Sequence, residues 1–525
     1  MRFAFYSIRE GTTTSEMRRR SKVYKLGALD AGFLYNETDR SPQHIASVQI
    51  LELPERMSEH QYLENVKALM QDRIHLVPYF TNKLRLVPFN LDHPVWVKDH
   101  AFSIDNHVHR LEVAAPGDRA AMEAAIATLH EQRLDRSRPL WDLWILTGLE
   151  DGRVAAYNRC HHACLDGMAG QAMIATIMDV SAEPRAVEPA PAGFFSRNDD
   201  QNFVQLLAGA AESFAKYQAK QPLAAFKAME TSARLFQRTF DPSKGLGAVS
   251  TPAPATRFNR AVEQKRSYVT GELPLDSIKN IAKLTHTKVN DVFLAIVGGG
   301  LRRYFERTGE LPGASMVAGC PVSLRQAGDT NPNNQVTMMM VSMGTDETDA
   351  GERLQTVAQS ARTAKGFTQD VAESFDAEVS LPGLPAALAG AVQMVETSGA
   401  ANLPGIRPPC NVVVSNVPGP NMQLYMAGAK VLTHYPVSIP AHGQAVNVTV
   451  QSYNGELYFA LTACAKALPD GELLRDDLLA EFAALKARYD LPRVSAAAQQ
   501  RNAPEAAPEV AIEAEEAGDD QPKAA

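Results

Sequence analysis

Cysteine is scarce in this chain. Five are spread over 525 residues, an odd number without regular spacing. That pattern excludes a disulfide framework and fits reduced thiols in a cytoplasm. No long apolar run is present either. The most apolar candidate, residues 381–395, contains Pro382 and Pro385 and is too short to cross a bilayer. The first eight residues are apolar, but Arg9 and Glu10 interrupt them, so they do not read as a signal peptide. Positive charge is not in excess. A net charge of −8 leaves no case for nucleic acid as a partner. Much of that charge is local: residues 496–525 carry seven acids against Arg501 and Lys523, a net of −5 that leaves −3 for the rest. The cluster Arg18-Arg19-Arg20 with Lys22 reads as a solvated tail rather than a lipid anchor.

The chain is too long for one core, so two or more domains are expected. Its apolar fraction of 45% is ordinary for a globular protein. Residues 26–185 read as a first domain, after an extension over 1–25. His44 to Leu51 reads as a strand, and Ser58 to Asp72 as a helix with Ser58 as its N-cap. Asp118 to Leu134 reads as an Ala-rich helix. Trp141 to Leu146 and Val154 to Arg159 read as a hairpin around Glu150-Asp151-Gly152. Residues 186–260 read as a linker with two amphipathic helices, 203–220 and 223–240, whose apolar faces could pack on the domains, the usual fate of such a helix, or touch a lipid surface.

Residues 261–495 read as a second domain. Arg266 to Val269 reads as a strand and Leu275 to Thr285 as a helix. The next helix opens at Asn290-Asp291 and carries Gly298-Gly299-Gly300, which predicts close packing or a substrate passage there. Val412 to Ser415 reads as a buried strand. Val446 to Gln451 and Leu457 to Ala463 read as a hairpin around Asn454-Gly455, and Asp470 to Tyr489 as a helix. Residues 496–525, rich in Ala, Glu and Pro, read as a disordered acidic tail.

The stretch that carries chemistry is Cys160-His161-His162-Ala163-Cys164-Leu165-Asp166-Gly167. A buried strand leads into it, and Met168 to Val180 reads as a helix after it. Two histidines and a carboxylate therefore sit where a strand ends. Adjacent side chains of a strand point to opposite faces, so one of His161 and His162 faces a reaction site and the other faces packing. A neutral imidazole suits general-base work near neutral pH. Asp166 can return through the turn to hold the loop or to pair with a distant Arg. Cys160, Cys164, His162 and Asp166 could serve as metal ligands, but no second ligand pair is spaced for one, so no metal is expected. Either Cys could be a nucleophile, although a buried apolar filler is the more ordinary role.

His161-His162-x-x-x-Asp166-Gly167 resembles the HHxxxDG motif of the CoA-dependent acyltransferase superfamily. That superfamily includes chloramphenicol acetyltransferase-like enzymes and peptide-synthetase condensation domains. Further stretches resemble the bacterial wax ester synthase/diacylglycerol acyltransferase family in particular. They are Leu29-Asp30-Ala31-Gly32-Phe33, Arg138-Pro139-Leu140-Trp141, Val289-Asn290-Asp291-Val292, Pro321-Val322-Ser323-Leu324-Arg325 and Ser415-Asn416-Val417-Pro418-Gly419-Pro420. Their order and spacing match from about residue 26 to about 490.

The resemblance implies an α/β chloramphenicol acetyltransferase-like fold of two domains, mixed sheets flanked by helices, with the active site at the domain interface. The activity implied is transfer of a long-chain acyl group from acyl-CoA to diacylglycerol or a fatty alcohol, giving triacylglycerol or wax ester. No cofactor is implied, with acyl-CoA as co-substrate. His162 would be the general base, as the second His of the motif. His161 and Gly167 complete the turn, Gly167 by allowing a tight bend or room for substrate. Asp166 would hold the loop, with Arg325 as its partner across the domains. Asn290, Asp291, Ser415 and Asn416 would line or support the site. His44 falls near the family's substrate channel, with a structural role equally open. The chain would be cytoplasmic, with a peripheral place at the membrane or on lipid inclusions as the alternative. Two other readings stand beside this one: a condensation-type transferase using carrier-bound donors, and a non-catalytic lipid-body protein.

Overall fold

The computed structural model describes residues 24–164, 173–194, 201–239, 253–323, 336–372 and 408–489, with isolated positions at 248, 387, 390 and 394. The helix expected over Met168 to Val180 is described only in part: residues 173–177 are helical. The acidic tail lies outside the described residues.

The first sheet is built around the strand Val154–His161, all eight residues of which are buried. It is central because it pairs on both sides, antiparallel to His44–Glu52 and to Trp141–Thr147. A strand covered on both faces needs an apolar run, and Val154-Ala155-Ala156-Tyr157 provides it. Gly148 and Gly152, both at positive φ, take the chain round the connecting turn. Val108–Glu112 adds a parallel strand on the far side of Trp141–Thr147. The helix Glu59–Arg73 starts at Ser58, whose side chain accepts from Gln61 N. Asp118 caps Arg119–His130 in the same way, through Ala121 N. The Ser58 cap is the one expected from the sequence, and Asp118, expected as the first residue of its helix, is the cap instead. A separate three-stranded sheet orders Tyr24–Lys25, Val95–Lys98 and Asn82–Arg85.

The second sheet has six strands in the order Val336–Ser342, Val317–Ser323, Val412–Val417, Val446–Tyr453, Glu456–Cys464 and Arg266–Pro274. It is mixed: Val412–Val417 runs parallel to both of its neighbours. Val446–Tyr453 and Glu456–Cys464 form the expected hairpin, with Asn454 and Gly455 both at positive φ. Two successive positive-φ residues are what the tightest hairpin turn demands.

One feature crosses the division drawn from the sequence. Ala429–Val431 and Tyr435–Val437 lie within the second stretch of chain but pair antiparallel with His44–Glu52 of the first sheet. The helix Arg119–His130 in turn reaches the second sheet, where Glu123 Oε1 accepts from Thr270 N at 2.8 Å and Thr270 Oγ1 at 2.5 Å. The two halves of the chain are thus joined by backbone ladder within the first sheet, and the two sheets by side chains.

The three glycines of the helix Val289–Arg307 turn out to be packing positions. A Cβ on Gly298 would stand 2.2 Å from Met343 O, one on Gly299 2.1 Å from the Glu481 carboxyl, and one on Gly300 2.4 Å from Leu478. The last two neighbours belong to the helix Gly471–Tyr489, so the glycines let two helices come together. Another expectation is corrected: 203–220 and 223–240 are not two helices but one, Phe203–Thr239, running through Pro222. A proline removes one helical hydrogen bond, and here the turns on either side continue regardless.

Gly298→Ala is expected to lower stability by about 1–3 kcal/mol, because the Met343 backbone cannot yield as a side chain would. Gly209 has open space around it on the long helix. Gly209→Ala is expected to hold or raise stability, by up to about 1 kcal/mol. Thermal denaturation of both variants beside wild type separates the two effects.

Candidate active site

The strand Val154–His161 ends at His161, and His162–Cys164 forms a short 3-10 turn. The two flanking strands hold this end. His161 N donates to Leu140 O at 3.0 Å, and His162 N donates to Gln43 O at 2.9 Å. The backbone is therefore pinned on both sides where the side chains diverge.

His161 is fully buried. Its Nδ1 accepts from Ala163 N at 3.1 Å, which ties the ring to the turn it precedes. With Nδ1 an acceptor, the proton of the neutral ring sits on Nε2. That nitrogen lies 3.4 Å from Glu37 Oε1, an electrostatic contact whose geometry falls short of a hydrogen bond. Burial lowers the His161 pKa and the Glu37 charge opposes that, with a net shift downward. The ring is neutral at pH 7.

Glu37 follows the helix Ala28–Asn36 directly and is buried. Its Oε2 accepts from Arg136 Nε at 3.0 Å and Nη2 at 2.7 Å, and its Oε1 from Gln43 N at 3.3 Å. Burial pushes its carboxyl up, but His161 and Arg136 outweigh that and bring it down to about 2. An ionised carboxylate therefore stands behind His161.

His162 has a different setting. It is half-buried, and its ring stacks on Phe33 with centroids 3.8 Å apart and planes 13° apart. Its Nδ1 is enclosed and has no hydrogen-bond partner among the described residues. Burial brings its pKa down to about 4, so the ring is neutral with a free lone pair at pH 7. The two rings thus diverge where the strand gives way to the turn, His161 toward Glu37 and His162 toward Phe33.

His44 pairs in register with His161 on the neighbouring strand. It is fully buried, lies 3.2 Å through Nε2 from His130 O, and meets the His130 ring edge-on at 4.4 Å. Its role here is packing. Cys160 and Cys164 are buried too, and burial pushes the Cys164 thiol well up, against a thiolate nucleophile. Among the described residues, no group of three His, Cys, Asp or Glu is placed to hold a metal ion.

Asn290 and Asn416 are brought together. Asn416 Nδ2 donates to Asn290 Oδ1 at 3.2 Å, joining the end of Val412–Val417 to the start of the helix Val289–Arg307. Asp291 is buried and caps that helix, accepting from Lys288 N at 3.0 Å. Burial raises its carboxyl pKa. Ser415 is half-buried on its strand. Among the described residues, no hydrogen bond or ion pair joins these four to His162. Asp166, Gly167 and Arg325, and with them the expected Asp166–Arg325 pair, lie outside the described residues.

Sequence reasoning missed Glu37 and Arg136 altogether. The available signal was spacing. Phe33 lies in the last turn of the helix Ala28–Asn36 and Glu37 follows its end, one turn farther on. That helix packs on the His162 turn, so a residue four after Phe33 reaches the other histidine.

The sequence pattern of the wax ester synthase/diacylglycerol acyltransferase catalytic domain matches residues 26–293, just over half of the chain. The chain belongs to that family. The family's C-terminal domain matches residues 333–486. A Mycobacterium tuberculosis protein provisionally named a diacylglycerol O-acyltransferase is 32% identical over 479 residues, covering 85% of this chain and 93% of that protein. The wax ester synthase/diacylglycerol acyltransferase from Marinobacter aquaeolei VT8 superposes with a TM-score of 0.61 at 25% identity, over 89% of this chain and 100% of the other. The starter condensation domain of rhizomide synthetase, solved with C8-CoA and Leu-SNAC, gives 0.52 at 16% identity, over 91% and 96%. At that identity it speaks for the fold alone. The α/β, chloramphenicol acetyltransferase-like fold expected from the sequence is the fold of these neighbours, and by family the chain is an acyl-CoA-dependent acyltransferase.

Glu37→Ala would take away the carboxylate that faces the His161 Nε2–H and leave the buried Gln43 N without its acceptor. An unmet buried donor costs about 1–3 kcal/mol. We expect turnover to fall about tenfold or more with little change in the KM for acyl-CoA, read from steady-state kinetics. A second expectation concerns pH. Burial lowers the His44 pKa far down, that of His130 to about 3 and that of His434 to about 4. The unfolded chain binds protons at these rings below about pH 6.5 and the folded chain does not. Stability is therefore full above that pH and falls as the pH drops through 6 toward 4, by up to about 1.4 kcal/mol per ring and pH unit. Melting temperatures at pH 7.5, 6 and 5 check the sign.

Proposed function

We propose that His162 is the general base of an O-acyl transfer from long-chain acyl-CoA to diacylglycerol, a long-chain alcohol, or both. The observation that carries this reading is the neutral His162 ring, stacked on Phe33 and with an unpartnered nitrogen, at the end of a strand pinned on both sides. His162 takes the proton of the acceptor hydroxyl as its oxygen attacks the thioester carbonyl. A tetrahedral intermediate forms, its C–S bond breaks, and the proton passes from His162 to the departing CoA sulfur. The products are an ester and free CoA, with no acyl-enzyme. A thioester is already activated, so one base and a donor to the oxyanion suffice. No step is routed through a metal or redox cofactor.

Arg136, Glu37 and His161 serve this chemistry by holding the turn, not by touching substrate. Asp166 is assigned to the loop, with Arg325 as its partner, and Gly167 to the tight bend. Asn290 and Asn416 form a polar pair that Ser415 neighbours, and Asp291 acts through the helix it caps. The family relationship supports acyl-CoA as donor, and the names of the relatives support diacylglycerol and fatty alcohol as acceptors. Both acceptors are apolar, which favours a cytoplasmic protein with peripheral contact with a membrane or lipid inclusion. No described helix is long and apolar enough to cross a membrane. Likeness to condensation domains extends to fold, and a carrier-bound donor draws no support from it.

CoA release from palmitoyl-CoA tests the proposal, with hexadecanol and with dioleoylglycerol as separate acceptors. His162→Ala is expected to lose about 10²–10⁴-fold in acceptor-dependent release. The wild-type acid limb is expected near pH 4–5 rather than 6.5, because burial lowers the base. Folded wild type that releases no CoA with either acceptor would overturn the reading. So would a His162→Ala variant that turns over at the wild-type rate.

A further inference from the structure

Phe89 has a backbone φ of 59° and ψ of 14°, in the left-handed region. Asn90 follows at φ 51°. Asn tolerates this conformation, whereas for a bulky aromatic residue it is a strained outlier. Burial does not explain it, because Phe89 is 79% exposed. The strained turn therefore holds a phenyl ring out in solvent. Leu86, three residues earlier, is 63% exposed, while Val87 between them is buried and anchors the turn.

A second segment meets the first. The helix Phe203–Thr239 begins beside this turn, and the Phe203 ring lies edge-on to Phe89 with centroids 6.3 Å apart. Its first turn is fixed by a reciprocal cap: Gln205 N donates to Asn202 Oδ1 at 2.9 Å, and Asn202 N donates to Gln205 Oε1 at 2.8 Å. Leu206 is buried against Val95 and Val97, and Lys25 Nζ donates to Ser213 Oγ at 3.0 Å. The helix is thus fastened through one side. Phe203 and Val204, at 54% and 70% exposed, remain outside. Two segments that meet through Phe89 and Phe203 thus leave four large apolar side chains exposed, which a monomer in water does not need.

Charge points to what covers it. The whole chain is acidic, at −8, yet residues 203–239 carry five bases against two acids. An element with net charge +3 runs from these apolar side chains on a protein of opposite overall sign. Apolar side chains at the start of a helix whose exposed Lys216, Lys220 and Lys227 follow farther along it match the interface of an anionic bilayer.

We propose that the Leu86–Phe89 turn and the start of the Phe203–Thr239 helix form a docking surface for anionic lipid membrane. The ring of Phe89, with Leu86, Phe203 and Val204, enters the headgroup boundary, and the exposed lysines Lys216, Lys220 and Lys227 face the lipid phosphates. The inference rests on the reading of the acceptor as a membrane-resident lipid, and it specifies where the enzyme meets that lipid.

The test uses the full chain and a double variant, Leu86→Gln with Phe89→Asn. Asn keeps the left-handed backbone and removes the ring, so the variant's melting temperature is expected to equal or exceed wild type. Co-sedimentation is measured with phosphatidylcholine vesicles, with and without 30% phosphatidylglycerol. Wild type is expected to sediment with the anionic vesicles and to be released by 0.5 M salt, and the variant to lose at least tenfold in binding. CoA release with dissolved hexanol as acceptor is expected to stay within twofold, while release with dioleoylglycerol in the vesicles falls with binding. A variant that sediments like wild type would overturn the proposal, as would wild type that binds neither vesicle. So would a wild type that elutes as a dimer where the variant is a monomer, which would assign the surface to a second copy. Failure of the acyltransferase reading shows separately, as no CoA release with any acceptor, because sedimentation reads the surface without chemistry.

Discussion

The site depends on a buried carboxylate facing a buried imidazole. Glu37 is ionised, clamped by both donors of Arg136, and set 3.4 Å from His161 Nε2. A charge in the interior is tolerated only when paired. Here the pairing extends from Arg136 through Glu37 to His161, and from His161 Nδ1 to the Ala163 amide. Each link limits the next, so the turn that carries His162 has little freedom to rearrange. The stack on Phe33 then orients the second ring. The helix Ala28–Asn36 carries Phe33 and leads directly into Glu37, so one short element addresses both histidines.

The sheet architecture supplies the stiffness behind this arrangement. Val154–His161 is paired on both sides and buried throughout, so its end cannot fray. On the far side of His44–Glu52, Tyr435–Val437 returns from the other half of the chain to pair with it. Tyr268 OH and His130 Nε2 reach the backbone of Pro436 and Ser438 in the same crossing segment. The strand next to the histidines is thereby coupled to both halves of the protein. Close packing elsewhere follows the same logic. Gly298 to Gly300 let a second helix approach, and buried Glu481 on that helix is shared between Arg303 and Arg353.

Much of the fold was legible in the sequence because the signals are local. Ser58 caps its helix, Asn454-Gly455 turns its hairpin, and the apolar run before the histidines is a central strand. The motif could also be read, because its residues are contiguous, although it is the change from strand to turn between His161 and His162 that parts their side chains. The long helix was misread for a local reason: proline usually ends a helix, and here the helix continues through Pro222.

The chain alone therefore reveals the chemistry on offer and most of the elements that present it: a dihistidine at a strand end, a capped helix, tight hairpins and an acidic overall charge. Family membership was legible too, because motifs keep their order along the chain. Only the tertiary structure decided which histidine is partnered, because Glu37 and Arg136 are 124 and 25 residues from His161 along the chain. It alone placed strands from the second half in the first sheet, and it alone left Phe89 in water beside Phe203. These are long-range contacts, set by which surfaces are left to cover once the local elements have formed, and no spacing in the sequence encodes them.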